Sequence, residues 1–113
     1  IIHAKKIENS VIGIRTRIGK GTVITSTYIM GSDIYETIPE MAHSLERGIP
    51  KIGIGEHCEI KNAILDKDCR IGDNVRIIGG THLTPIDHAL YNIKDDIIVI
   101  KKGAIIPNGF NIE

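Results

Sequence analysis

The stretch from Ile7 to Ile24 (IENSVIGIRTRIGKGTVI) aligns without gaps on the stretch from Ile60 to Ile77 (IKNAILDKDCRIGDNVRI). Such self-similarity constrains the fold strongly, because stacked copies of one unit must share one continuous core. Large aliphatics recur about every six residues in each copy, as Ile12, Ile18 and Ile24 and as Leu65, Ile71 and Ile77. The C-terminal stretch keeps the spacing with Ile100, Ile106 and Ile112. Glycine often follows the aliphatic, at Gly13, Gly19, Gly55 and Gly72, where a corner requires positive φ or close backbone approach. Neither the helical period of about 3.6 nor the strand period of two yields this pattern. Three hexapeptides closing one triangular turn of about 18 residues do.

The position two before each aliphatic is small: Ser10, Thr16, Thr22, Cys58, Ala63, Cys69, Val75 and Ala104. Residues two apart on a strand face the same side, so these side chains point inward beside the corner aliphatic, where a narrow prism has little room. The predicted class is therefore all-β, a parallel β-helix of about four coils with one short helical insertion. A β-sandwich of short strands is the competing architecture. The isoleucine-rich apolar set, with 4% aromatics and no tryptophan, suits stiff β-branched side chains stacked on strands.

Two stretches break the period and divide the chain into a coil at 1–30, an insertion at 31–51, a coil at 52–79, a loop at 80–96 and a coil at 97–113. In the insertion, Thr37 and Glu40 have capping-box spacing, Pro39 suits a first turn and Gly48 a helix stop, which predicts a helix over 38–47. Met41 and Leu45 would be its buried stripe. The second interruption carries Thr81, Pro85, Asp87 and His88 without a period, and reads as a loop of the kind that bears binding residues. No polar cap marks the N-terminal end, so the stack is expected to continue into a further domain.

Fourteen basic and fourteen acidic residues give a formal net charge of zero. That balance argues against nucleic acid or an anionic membrane as partner. No apolar run reaches the roughly 20 residues that span a bilayer. Cys58 and Cys69 both occupy the inward small position and read as compact apolar residues rather than metal ligands or a disulfide. The five histidines share no metal-binding spacing, and no metal site is expected. His82 or His88 is the nominee for loop base if the chain is a free-standing hexapeptide-repeat acyltransferase; a free-standing partner-binding module is the other form of that alternative. No glycine-rich phosphate cradle occurs. What remains is a set of cations that stacked coils could bring to one edge, namely Lys67 and Arg70 on one coil and Lys101 and Lys102 on another. Convergent cations suit a phosphorylated metabolite or phosphate.

Three tracts, TSTYIMGSDIYET (25–37), IPKIGIGEHCEIKNAILDKDCRIGDNVRII (49–78) and YNIKDDIIVIKKGAIIPNG (91–109), resemble successive C-terminal blocks of glucose-1-phosphate adenylyltransferase, or ADP-glucose pyrophosphorylase. The flavour is nearer to the cyanobacterial and plant type. The resemblance implies a left-handed coil, the hand of hexapeptide-repeat proteins. It also implies a nucleotidyltransferase that makes ADP-glucose and pyrophosphate from ATP and glucose 1-phosphate for glycogen or starch synthesis. That enzyme works as a homo- or hetero-tetramer, in the cytoplasm or, in a plant, the plastid. ATP and Mg²⁺ would bind an N-terminal catalytic domain missing from this chain, which would hold no cofactor and be inactive alone.

By the same resemblance, this domain contributes to subunit contacts. Together with the catalytic domain it forms an allosteric site for sugar-phosphate or phosphoglycerate effectors and phosphate. The family's effector lysines carry over onto Lys67 and onto either Lys101 or Lys102, depending on which flanking tract anchors the alignment. Arg70 and Lys94 are possible supporting cations. Lys94, Asp95 and Asp96 stand where relatives have arginine, serine and glycine, and the two carboxylates would weaken an adjacent anion site.

Overall fold

The computed structural model describes residues 2–34 and 36–113; Tyr35, within the MGSDIY tract, and Ile1 lie outside them. The inward aliphatics form three columns, each along one face of a triangular prism. On the first face, Ile2, Ile18, Ile54, Ile71 and Ile106 stack in parallel register. The second face stacks the strands Lys6–Glu8, Val23–Thr25, Glu59–Lys61, Arg76–Ile78 and Asn111–Ile112. The third stacks Val11–Ile12, Tyr28–Ile29, Ala63–Leu65 and Ile97–Ile100. This is the expected parallel β-helix.

Seven corner isoleucines, Ile18, Ile24, Ile60, Ile71, Ile77, Ile100 and Ile106, are completely shielded from water. The small residues beside them are buried as predicted from Thr16 through Ala104, only Ser10 at the first coil being partly open. Where such a residue is polar, it serves the backbone of a corner. Thr22 Oγ1 donates to the Gly55 carbonyl at 2.8 Å and accepts the Cys58 N–H at 3.1 Å. Among the described residues no buried side-chain polar atom lacks a partner, as a dry interior requires.

One turn advances 17 residues rather than 18, pairing Ile7 with Ile24, Ile12 with Ile29 and Ile60 with Ile77. The edge between the second and third faces is crossed in five residues, as from Ile24 to Ile29 or Ile60 to Leu65, and the other two in six. The glycines divide into two kinds. Gly19 and its equivalents lack positive φ; a Cβ on Gly19 would stand 2.5 Å from the Gly55 carbonyl carbon of the next coil. Positive φ falls two or three residues after the aliphatic, at Asn9, Arg15, Gly21, Ser26, Gly31, His57, Asn62, Asp68, Asn74, Gly103 and Gly109. Asparagine, aspartate and glycine dominate there because they tolerate the left-handed region best.

The insertion leaves the prism after Ser32, whose N–H still donates to Ile14, and returns at Ile52. Its helix spans Ile38–Glu46 with the predicted capping box: the Glu40 N–H donates to Thr37 Oγ1 and the Thr37 N–H to Glu40 Oε1. The predicted stripe is not its buried face. Leu45 is 75% exposed and Met41 only half-buried, while Ser44 is the buried residue of the helix and donates to Glu36. Polar tethers through Glu36, Arg70 and Arg17 set the roll of this short helix. The apolar positions do not.

The second interruption is not all loop. Tyr91–Lys94 pairs antiparallel with Ile97–Ile100, and Ile86–Asp87 pairs antiparallel with Tyr91–Lys94. The third face thus continues past the last coil as a hairpin that covers its edge. Asp95 and Asp96, at φ 52° and 66°, form the two-residue turn between Lys94 and Ile97. Successive positive φ values are the signature of a type I′ hairpin turn.

Candidate functional site

Register brings the candidate lysines to one corner. Leu65 pairs with Ile100 on the third face, and Arg70 with Ile105 on the first, with equal spacing between. Asp66 therefore stands beside Lys101, and Lys67 beside Lys102. Backbone bonds fix this alignment: the Asp66 N–H donates to Ile100 and the Gly103 N–H to Lys67, both within 3.0 Å.

The two possible partners of Lys67 differ in their engagement. Lys101 Nζ donates to Asp87 Oδ1 at 2.9 Å and so ties the last coil to the hairpin. Lys102 is exposed and makes no ion pair among the described residues. Lys67 Nζ donates to Asp33 Oδ1 at 3.0 Å, with both side chains about half exposed. The Lys67 hydrogen bond, with the charges of Lys67, Lys102 and Arg15, holds the Asp33 carboxyl below its ordinary range. The same pairing pushes the Lys67 ammonium up. Lys67 is thus the cation in direct contact with this carboxylate, and Lys102 and Arg15 act on it only through their charge.

Arg70 does not join them. Its guanidinium donates to Glu36 Oε2 at 3.0 Å and to the Pro50 carbonyl at 2.9 Å, gripping both ends of the insertion. Glu36 also accepts the Ile52 N–H at 2.9 Å and the Ser44 hydroxyl at 3.3 Å. Arg17 adds bonds to the carbonyls of Ile52 and Lys51. Lys94 lies at the hairpin turn. That turn is separated from Lys101 by the four-residue strand Ile97–Ile100, about 15 Å of extended chain. Asp95 and Asp96 accordingly stand well away from Lys67 and Lys102, and their predicted weakening of this site loses its geometric basis.

The reading from sequence missed Asp33 and Glu36, although a signal was present. DxxE in SDIYE mirrors KxxR in DKDCR, and the two pairs meet as Asp33 with Lys67 and Glu36 with Arg70.

Cys58, Cys69 and His88 are engaged structurally. Burial pushes the Cys69 thiol up to about 12 and also raises that of Cys58. Both thiols donate to backbone carbonyls, Cys58 to Gly72 and Cys69 to Asp66, each at 3.1 Å. Such thiols are poor nucleophiles. His88 stacks on Tyr91 with centroids 4.6 Å apart, and its Nδ1 accepts the Leu90 N–H. Among the described residues no three His, Cys, Asp or Glu side chains gather as a metal site, and no helix is long and apolar enough to cross a membrane.

Coiled hexapeptides, an interrupting helix and a cation-bearing corner define a solenoid domain of the hexapeptide-repeat class. The chain belongs to the GLGC left-handed parallel β-helix domain family, whose model matches residues 1–110. It is 40% identical over 111 residues to the small subunit of a chloroplastic/amyloplastic glucose-1-phosphate adenylyltransferase of Triticum aestivum. That match covers 96% of this chain and 24% of the wheat protein. The chain therefore spans about a quarter of the length of this relative, and its family membership supplies the left-handed coil.

Proposed function

We propose that this chain is the regulatory and assembly domain of an ADP-glucose pyrophosphorylase, in which Lys67 and Lys102 contribute cations to an allosteric site for a phosphorylated metabolite or phosphate. The observation that carries the reading is the register of the last two coils, which sets these two lysines side by side on a rigid corner. Lys101 is the weaker candidate, because the register sets it beside Asp66 rather than Lys67 and its ammonium points to Asp87 of the hairpin. The reaction itself, ATP and glucose 1-phosphate giving ADP-glucose and pyrophosphate, belongs to a nucleotidyltransferase domain outside this chain. By the family resemblance, ATP and Mg²⁺ bind there. The fragment by itself is inactive.

A phosphoryl group at this corner gains charge-assisted bonds from ammonium groups on two coils and from cations of the catalytic domain. It activates by binding the active conformation better than the inactive one. Assembly as a tetramer, in the cytoplasm or a plastid, follows the same reading.

The test is effector titration of the full enzyme carrying this chain. Replacing Lys67 and Lys102 by methionine should raise the half-saturating effector concentration at least tenfold, with little change in the effector-free rate. An unchanged effector response in the double variant would refute the assignment.

A further inference from the structure

The cation corner is already occupied by a group of the chain itself. Asp33, the first residue of the insertion, accepts a bond from Lys67 Nζ at 3.0 Å, and its charge also feels Lys102 and Arg15. It is held in place from the other side, since its N–H donates to Asp68 Oδ1 at 2.9 Å. An incoming oxyanion competes with the Asp33 carboxylate for the charge of the Lys67 ammonium. Placed beside that carboxylate instead, it would meet like-charge repulsion. We propose that Asp33 is an internal competitor for the anion site, so that a phosphoryl ligand binds by displacing the Asp33 carboxylate from Lys67. This rests on the reading of Lys67 and Lys102 as an anion site.

The displacement is local. Asp33 is half exposed and exchanges one counter-ion for another, whereas Glu36, three residues on, is buried against Arg70, Ile52 and Ser44. Ligand binding therefore releases the first residue of the insertion while the helix stays tethered. Asp33 sets the affinity of the site, and the ligand must offer more negative charge than one carboxylate to win the exchange.

The experiment is a titration of the full chain with inorganic phosphate, followed by backbone amide shifts at residues 33, 67, 68 and 102. Asp33→Asn removes the charge but keeps an acceptor of nearly the same shape, and Asp33→Ser serves as a second variant. The expected result is phosphate binding two- to fivefold tighter in both variants, the scale of a single exposed ion pair, with Lys67→Met abolishing binding in every background. Equal or weaker binding in the folded Asp33 variants, with binding still dependent on Lys67, would overturn the competitor role and leave the anion site standing. Phosphate shifts insensitive to both Lys67→Met and Lys102→Met would overturn the site and the competitor together.

Discussion

Glu36 is the residue on which the attachment of the insertion turns. Burial alone would raise its carboxyl, but the Ile52 N–H, Arg70 and Ser44 outweigh burial and hold it below the ordinary glutamate range. Because the folded pKa is lowered, its stabilisation is fully present above that range and is lost as pH falls through the lowered value. Glu36→Ala leaves Arg70 half-buried without its partner and should cost about 2 kcal/mol at neutral pH. Urea unfolding should show the gap between variant and parent narrowing as pH falls below the ordinary glutamate range and the parent's carboxyl takes up its proton. The glycines give a second prediction at this scale. Gly19→Ala drives a methyl into the backbone of the next coil and should cost about 3 kcal/mol. Gly103→Ala meets open space and only the strain of φ 69°, about 1 kcal/mol. Thermal unfolding should rank them in that order. The sequence contains both kinds of glycine, but the distinction depends on whether another coil lies 2.5 Å away, and a single repeat does not reveal its neighbour.

At the scale of elements, legibility followed locality. The helix was readable because the Thr37–Glu40 box and Pro39 act within one turn of chain. Its buried face was not, because Glu36, Arg70 and Arg17 fix its roll from partners that are 34 or 35 residues apart in sequence. The coils were readable because their aliphatics repeat. The hairpin at 86–100 was not, for its turn is Asp95–Asp96 without glycine and its first strand, Ile86–Asp87, has two residues. That turn also yields a test. Asn and Gly at positions 95 and 96 tolerate positive φ better and remove two adjacent like charges. The double variant Asp95→Asn, Asp96→Gly should therefore be stabilised by about 1 kcal/mol, seen as a higher melting temperature. A lower one would mean that the two carboxylates have partners worth more than the turn strain.

For the whole molecule, the stack makes stability a matter of position, since each coil is held only by its neighbours. Ile60 and Ile77 lie within the second-face column, between coils on both sides, and are completely buried. At the far end of that column Ile112 pairs only with Ile77, and at the near end Ile7 pairs only with Ile24 and is 36% exposed. Ile60→Ala should then cost about 4 kcal/mol, near the upper part of the range for a buried isoleucine. Ile7→Ala should cost about half as much or less, about 1–2 kcal/mol, because its side chain is only partly withdrawn from water and has a coil on one side alone. Hydrogen exchange provides the reading that requires no mutation. Amides of Glu59–Lys61 and Arg76–Ile78 should exchange slowest, those of Lys6–Glu8 fastest, and the third-face strand Ile97–Ile100 should outlast the second-face strand Asn111–Ile112 because the hairpin pairs its outer edge. Equal protection along all three faces would instead mean that the prism opens as one unit, and the hairpin would then be a cover for an exposed edge without being a source of order in the last coil.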